Sequence, residues 1–185
     1  MRWLVRSHGV GSTHRVRIQI RRARGNARII REVLRPAIVL HLMAHGRATG
    51  VLTPQHRPWR RVPRRFVTDL VESVADGSPH PTVECLLNDA CSTFSATWLD
   101  RIARTLPPRG SLVYIGTTRE VTFHEAMTYT SLFYARLLHR ALPETARARR
   151  TALIRAHESA IEGYAALLGA AAPFDLALVR PSIDD

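Results

Sequence analysis

The sequence contains no lysine. All 27 basic residues are arginine, set against 15 acids, and the formal net charge is +12. Arginine in place of lysine is what a GC-rich coding sequence produces, so by itself it assigns no function. Cysteine is scarce as well: there are only Cys85 and Cys91, six residues apart, on one expected strand and its exit. That count excludes a disulfide scaffold. No apolar run approaches the ~18 residues of a membrane span. The start, Met1-Arg2-Trp3-Leu4-Val5-Arg6, lacks the long apolar segment of a secretory signal. These absences lead us to expect a cytoplasmic protein with no membrane contact.

Acids are almost missing from the first third. Residues 1–65 hold 16 arginines against Glu32 alone, a balance of +15, whereas residues 66–185 balance at −3. A basic segment of this kind binds nucleic acid, an acidic partner or an anionic surface, or is simply solvated. With 185 residues and 45% apolar composition the chain suits one domain with a real core. We read 1–185 as that single domain and 1–35 as its basic N-terminal strand and helix portion.

Read in order, strands are expected at 2–6 and 15–20, joined by a turn around Gly9-Val10-Gly11-Ser12. His14 to Ile20 alternates polar and apolar, the pattern of a half-exposed strand. Ile29, Ile30, Val33 and Leu34 predict a helix over 27–35, stopped by Pro36. A strand at 37–44 follows, making a βαβ unit if the flanking strands are parallel. An Arg- and Pro-rich loop occupies 47–65, and a helix 66–75 ends at Asp76-Gly77-Ser78-Pro79. Further elements are a strand at 82–88, a helix at 95–105 and a strand at 111–116. Helices over 123–142 and from 143 to 168, then a strand over 173–179, complete the chain. This order predicts an α/β fold with helices on both faces of a mostly parallel sheet. There is no internal repeat, and low complexity is confined to Gly169-Ala170-Ala171-Ala172.

Two apolar runs end in chemistry-bearing residues. Ala37 to Ala44 leads into His45-Gly46, and Val83 to Leu87 leads through Asn88-Asp89-Ala90 into Cys91-Ser92. Open α/β sheets place ligands beyond the carboxyl ends of their strands. A thiolate is the reactive form of cysteine, and an imidazole beside it acts as base and then as acid toward the leaving group. Gly46, without a side chain, lets its backbone N–H approach a substrate carbonyl, and with the Cys91 N–H it forms a candidate oxyanion hole. Each piece also has a plain structural meaning, an inert buried cysteine and a His-Gly turn. Their joint placement is what favours chemistry.

These residues resemble the caspase-like cysteine peptidases, and within them the CHAT domains. The likeness covers nearly the whole chain. It includes Met43-Ala44-His45-Gly46, Leu87-Asn88-Asp89-Ala90-Cys91-Ser92, Gly110-Ser111-Leu112-Val113, Phe133-Tyr134-Ala135-Arg136-Leu137-Leu138 and Ala172-Pro173-Phe174-Asp175-Leu176-Ala177-Leu178. The resemblance implies a three-layer caspase-like fold and a cysteine endopeptidase that needs no cofactor. In it Cys91 is the nucleophile, His45 its partner, and Gly46 and Cys91 the oxyanion donors. It also places Asp89, two residues before the cysteine, at the floor of the first specificity pocket. A carboxylate there favours an arginine or lysine of a peptide substrate. The other meaning of Asp89 is a helix cap or a partner for an arginine. By the same resemblance the protein would act in a bacterial defence or stress response. Because the chain carries no helical repeats, its regulator or recognition module would be a separate protein. Gly116-Thr117-Thr118-Arg119-Glu120 carries neither the tryptophan nor the aspartate of CHAT relatives.

Other residues carry competing meanings. His41 shares a strand face with Met43 and His45, where it either tunes His45 or packs in the core. Cys85 sits mid-strand and reads as core. A zinc site from Cys85, Cys91, His41 and His45 lacks the Cys-x-x-Cys spacing of structural sites, so no metal is assigned. Trp3 and Trp98 read as core or interface aromatics. The segment 57–65 mixes Trp59 with arginines and suits a solvated loop, a nucleic-acid contact or a self-cleavage site. The Arg147-Ala148-Arg149-Arg150 cluster reads as the solvated side of its helix. The alternative to a peptidase is a catalytically silent caspase-like module that uses its basic first third on nucleic acid or an acidic protein. Steep loss of binding with salt is the signature of that reading.

Overall fold

Two four-residue runs, Val39–Leu42 (β3) and Cys85–Asn88 (β6), are buried at every position. A strand apolar on both sides belongs in the middle of a sheet covered on both faces. That is where these lie in the computed structural model, which describes residues 4–10, 15–21, 37–47, 50–52, 83–106 and 110–181. The six-stranded sheet also contains β1 (Leu4–Val10), β2 (Arg15–Arg21), β7 (Leu112–Thr117) and β8 (Phe174–Val179), in the order β2-β1-β3-β6-β7-β8. A separate two-stranded sheet pairs β4 (His45–Arg47) with β5 (Gly50–Leu52).

The central strands β3, β6 and β7 are mutually parallel, while β8 and β1 pair antiparallel with their neighbours. The fold is mixed α/β, and its parallel character is confined to the middle of the sheet. The conditional βαβ unit takes a different form. Strands β2 and β3 run in the same direction, but β1 lies between them, antiparallel to both. β1 also continues through Gly9 and Val10, which the sequence pattern assigned to a turn. Ladder pairing to β2 accounts for this, since Gly9 and Val10 oppose Val16 and Arg15. The helices expected at 27–35 and 66–75, Trp3 and the segment 57–65 lie outside the described residues.

Alternation sorts the side chains onto two faces. Leu40, Leu42, Leu86, Leu112 and Tyr114 meet Trp98 and Ile102 of α1 (Ala96–Thr105). Val39, Cys85, Leu87, Val113 and Ile115 meet α2 (Phe123–Leu137) and α3 (Ala146–Leu168). Each helix starts where the sequence supplies a cap: Ser95, Thr122 and Thr145 accept from backbone N–H groups three residues on. At α2 the arrangement is a full capping box with Glu125. Gly169, at φ 64°, ends α3 in a left-handed turn that favours glycine. The expected helix over 123–142 stops at Leu137. Pro143 disfavours helical geometry at the residue before it, so the chain turns between α2 and α3 there. Among the described residues no helix is long and apolar enough to cross a membrane.

Between the helices and the sheet, Phe174 stacks on Tyr129 at 3.9 Å, and the Tyr129 hydroxyl lies 2.6 Å from His157 Nδ1. Burial pushes the Tyr129 phenol up, so the phenol keeps its proton beside the imidazole. Desolvation in turn holds His157 below the ordinary histidine value of 6.5, outweighing the pull of Asp175. A histidine that resists protonation when folded favours unfolding once the unfolded chain binds a proton there. Stability should therefore be highest above pH 6.5 and fall as the pH drops below it. In thermal unfolding at pH 7.5 and 5.5, His157→Gln should lose less melting temperature on acidification than the wild type. Equal losses would remove His157 as the cause.

Candidate active site

The last paired residues of β3 and β6 are Leu42 and Asn88, and the Asp89 N–H extends the ladder by donating to the Leu42 carbonyl at 3.0 Å. His45 and Cys91 each lie three residues beyond that final pair. Because the two strands are parallel neighbours, both segments leave the same edge of the sheet. Neighbouring strands are only ~4.8 Å apart.

The strand does not run into His45 as the pattern suggested. β3 stops at Leu42, and His45 opens β4, opposite Leu52 of β5. The short apolar pair Val51-Leu52 is hard to see inside an Arg- and Pro-rich stretch that reads as loop. His45 is exposed there. Its neighbour Gly46 makes the decisive contact. A Cβ on Gly46 would sit 2.4 Å from the Ala90 Cβ and 3.3 Å from the Ala90 backbone. The histidine segment thus lies directly against the residue preceding the cysteine, and only glycine allows that approach.

The turn carrying Cys91 is tied down by hydroxyls. The Ala90 N–H donates to Asn88 Oδ1 (3.2 Å), and the Ala90 carbonyl accepts from Thr93 Oγ1 (2.9 Å) and Thr117 Oγ1 (2.6 Å). Burial pushes the Tyr114 phenol up, keeping it protonated to donate to the Thr93 carbonyl at 2.9 Å. Ser92 is the only non-glycine residue at positive φ among the described residues (54°), held by its N–H bond to the Arg119 carbonyl at 3.1 Å. Such a conformation in a non-glycine residue stores strain that the surroundings must sustain. The segment from β7 to α2 supports the turn from the other side. Cys91 Sγ lies 3.7 Å from the Val121 carbonyl, and Arg119 reaches Glu125 at 2.7 Å. Arg119 and the Thr122 cap hold the Glu125 carboxyl down at about 2, so this support persists through mildly acidic pH.

The two cysteines, both free, occupy opposite environments. Cys85 is fully buried, and burial beside Glu84 pushes its thiol far up, leaving it an inert core group. Cys91 is half-buried, at the strand edge. Sequence reasoning missed what Asp89 does. Among the described residues its carboxylate neither caps a helix nor meets an arginine: Oδ2 lies 2.8 Å from His41 Nε2, with the two residues 6% and 2% exposed. The signal was present in the period-two pattern, because His41 pairs with Leu87 and Asp89 is two residues further along the same face. The outer atoms of the pair, His41 Nδ1 and Asp89 Oδ1, have no hydrogen-bond partner among the described residues, and neither does the nearby Tyr134 hydroxyl. A buried polar atom without a partner costs about 1–3 kcal/mol. Among the described residues no cluster of three or more His, Cys, Asp or Glu is placed to hold a metal.

A scan against protein-family models and a search of curated proteins both match nothing.

The contact between the two segments can be tested by moving one methyl group. Gly46→Ala should force the segments apart and make the Cys91 thiol more reactive in native protein, read with a coloured thiol reagent. The double variant Gly46→Ala/Ala90→Gly removes the 2.4 Å overlap and should return reactivity toward wild type. In all three proteins one thiol should react when native and two when unfolded. No change on Gly46→Ala would show that the approach is not tight in solution.

Proposed function

We propose that the protein is a caspase-like cysteine endopeptidase with Cys91 as nucleophile and His45 as its base. The observation that carries this reading is the packing of Gly46 on Ala90, which joins the imidazole-bearing segment to the thiol-bearing turn. A sheet with α1 on one face and α2 and α3 on the other supports the three-layer form of that fold.

The reaction follows from these groups. His45 takes the proton of the Cys91 thiol, and the thiolate sulfur bonds to the carbonyl carbon of the scissile peptide. The carbonyl π electrons move to oxygen, where the Gly46 and Cys91 N–H groups stabilise the charge. Collapse of this intermediate breaks the C–N bond, and His45 returns its proton to the departing amine. Water, deprotonated by the same imidazole, then hydrolyses the thioester and restores the thiol. The strained Ser92 and the threonine-anchored Ala90 carbonyl hold the sulfur in register for attack.

The choice of a basic substrate side chain is supported by an imbalance at Asp89. His41 occupies one carboxylate oxygen and leaves Oδ1 without a donor among the described residues. A guanidinium or ammonium from the substrate would supply that donor, a charge-assisted bond worth about 1.5–3 kcal/mol.

Cys91→Ala should abolish cleavage of arginine-containing peptides without altering circular dichroism. A thiol-reactive peptidyl inhibitor ending in arginine should modify Cys91 and leave Cys85 untouched. Asp89→Asn should reduce the preference for arginine over a neutral residue roughly ten- to hundredfold. Cleavage that survives Cys91→Ala refutes the nucleophile, and an unchanged preference in Asp89→Asn refutes the pocket.

A further inference from the structure

The arginines of the helical layer fall into two groups. Arg104, Arg119, Arg149 and Arg150 each hold a partner: Asp100, Glu125, Glu84 and Ser111. Arg149 is the most committed, with a forked pair to Glu84 and further bonds to the Pro143 and Glu144 carbonyls. Two of the three arginines in the expected solvated cluster at 147–150 are thus engaged, Arg149 anchoring α3 to the start of β6 and Arg150 to Ser111 before β7. Arg136, Arg140, Arg147 and Arg155 have no partner among the described residues, and all four line one cleft.

That cleft, of about 570 Å³, lies where the end of α2 meets the beginning of α3. Arg136 lies in the last turn of α2, Arg140 in the connection beyond the helix end at Leu137, and Arg147 and Arg155 two turns apart on α3, so cations from both sides of the connection border it. Among the described residues no carboxylate lines it, and His139 adds an imidazole. Its floor is apolar, with Leu137, Leu142, Pro143 and Ala152. One wall is the first turn of α3, where backbone N–H groups carry partial positive charge. Helix starts favour acids, yet this first turn has none and carries Arg147 and Arg149 instead. Cations gathered in a concave site at the positive end of a helix repel one another, and a bound polyanion relieves that repulsion.

We propose that this cleft binds a nucleoside polyphosphate, its phosphate chain among the four arginines and its base on the apolar floor. The volume falls within the range of roughly 300–1,000 Å³ typical of small-ligand sites. Arginine suits the phosphates because its planar fork donates two parallel bonds to their oxygens. The site is built from the end of α2, the connection after it and the start of α3, and it shares no residue with the His45–Cys91 edge, so it stands whether or not the protein is a peptidase.

Calorimetric titration of the full chain with ATP and with inorganic triphosphate tests this. ATP should bind saturably and more tightly than triphosphate. Arg147→Gln/Arg155→Gln should weaken ATP binding by roughly tenfold or more, while Arg180→Gln, outside the cleft, should leave it unchanged. The double variant should keep the wild-type circular dichroism and the native count of one reactive thiol, since both replaced side chains are exposed. Three results would each overturn the assignment: no saturable ATP binding, triphosphate binding as tightly as ATP, or Arg180→Gln weakening binding as much as the cleft pair.

Discussion

The parallel pairing of β3 with β6 is the constraint from which the site follows. Parallel neighbours exit a sheet at the same edge, so two segments separated by more than forty residues of sequence emerge side by side. Complete burial of both strands makes a slip in register costly, because a shift by one residue would turn every side chain to the opposite face. Register then fixes how far beyond the sheet each functional residue lies. The absence of a side chain at Gly46 lets the two exits touch.

Around that contact the structure uses polar groups in two ways. Outside the last rung of the ladder, Thr93, Thr117, Asn88 and Tyr114 satisfy the backbone of the turn, replacing the hydrogen bonds that the sheet no longer supplies. Beneath it, His41 and Asp89 satisfy each other and, among the described residues, leave one atom each unpaired. A fully satisfied network makes a rigid turn, whereas an incompletely satisfied one marks a place where a ligand has something to gain. The same edge therefore combines a fixed cysteine-bearing turn with an unfilled electrostatic demand.

Arginine is distributed by the same logic. Where it meets carboxylates it joins elements, as Arg149 joins α3 to Glu84 and Arg119 joins the β7–α2 connection to Glu125. Where it meets only other cations it outlines a cleft. Composition treats these residues alike, and only their partners separate them.

Much of the architecture was legible in the residues. Continuous apolar runs marked β3, β6 and β7, and the expected limits at Ser95 and Leu168 lie within a residue of the start of α1 and the end of α3, whereas α3 starts at Ala146 rather than at Pro143. Local signals of this kind depend on neighbours in sequence, which is why α1 and β8 appear within a residue of expectation. The β4–β5 hairpin was not legible, because three-residue strands carry too little pattern to stand out among arginines and prolines. The end of α2 was misjudged because its apolar spacing continues past the point where the chain turns.

The sequence alone determined which residue types stand at the ends of two buried runs, and so named His45, Gly46, Asp89 and Cys91 as candidates. It could not decide who meets whom. That Asp89 finds His41, that Gly46 rests on Ala90, and that one cysteine is sealed while the other reaches the edge all depend on contacts across the sheet. Hydrogen bonding and desolvation act over a few ångströms in space, and only the folded chain sets those distances.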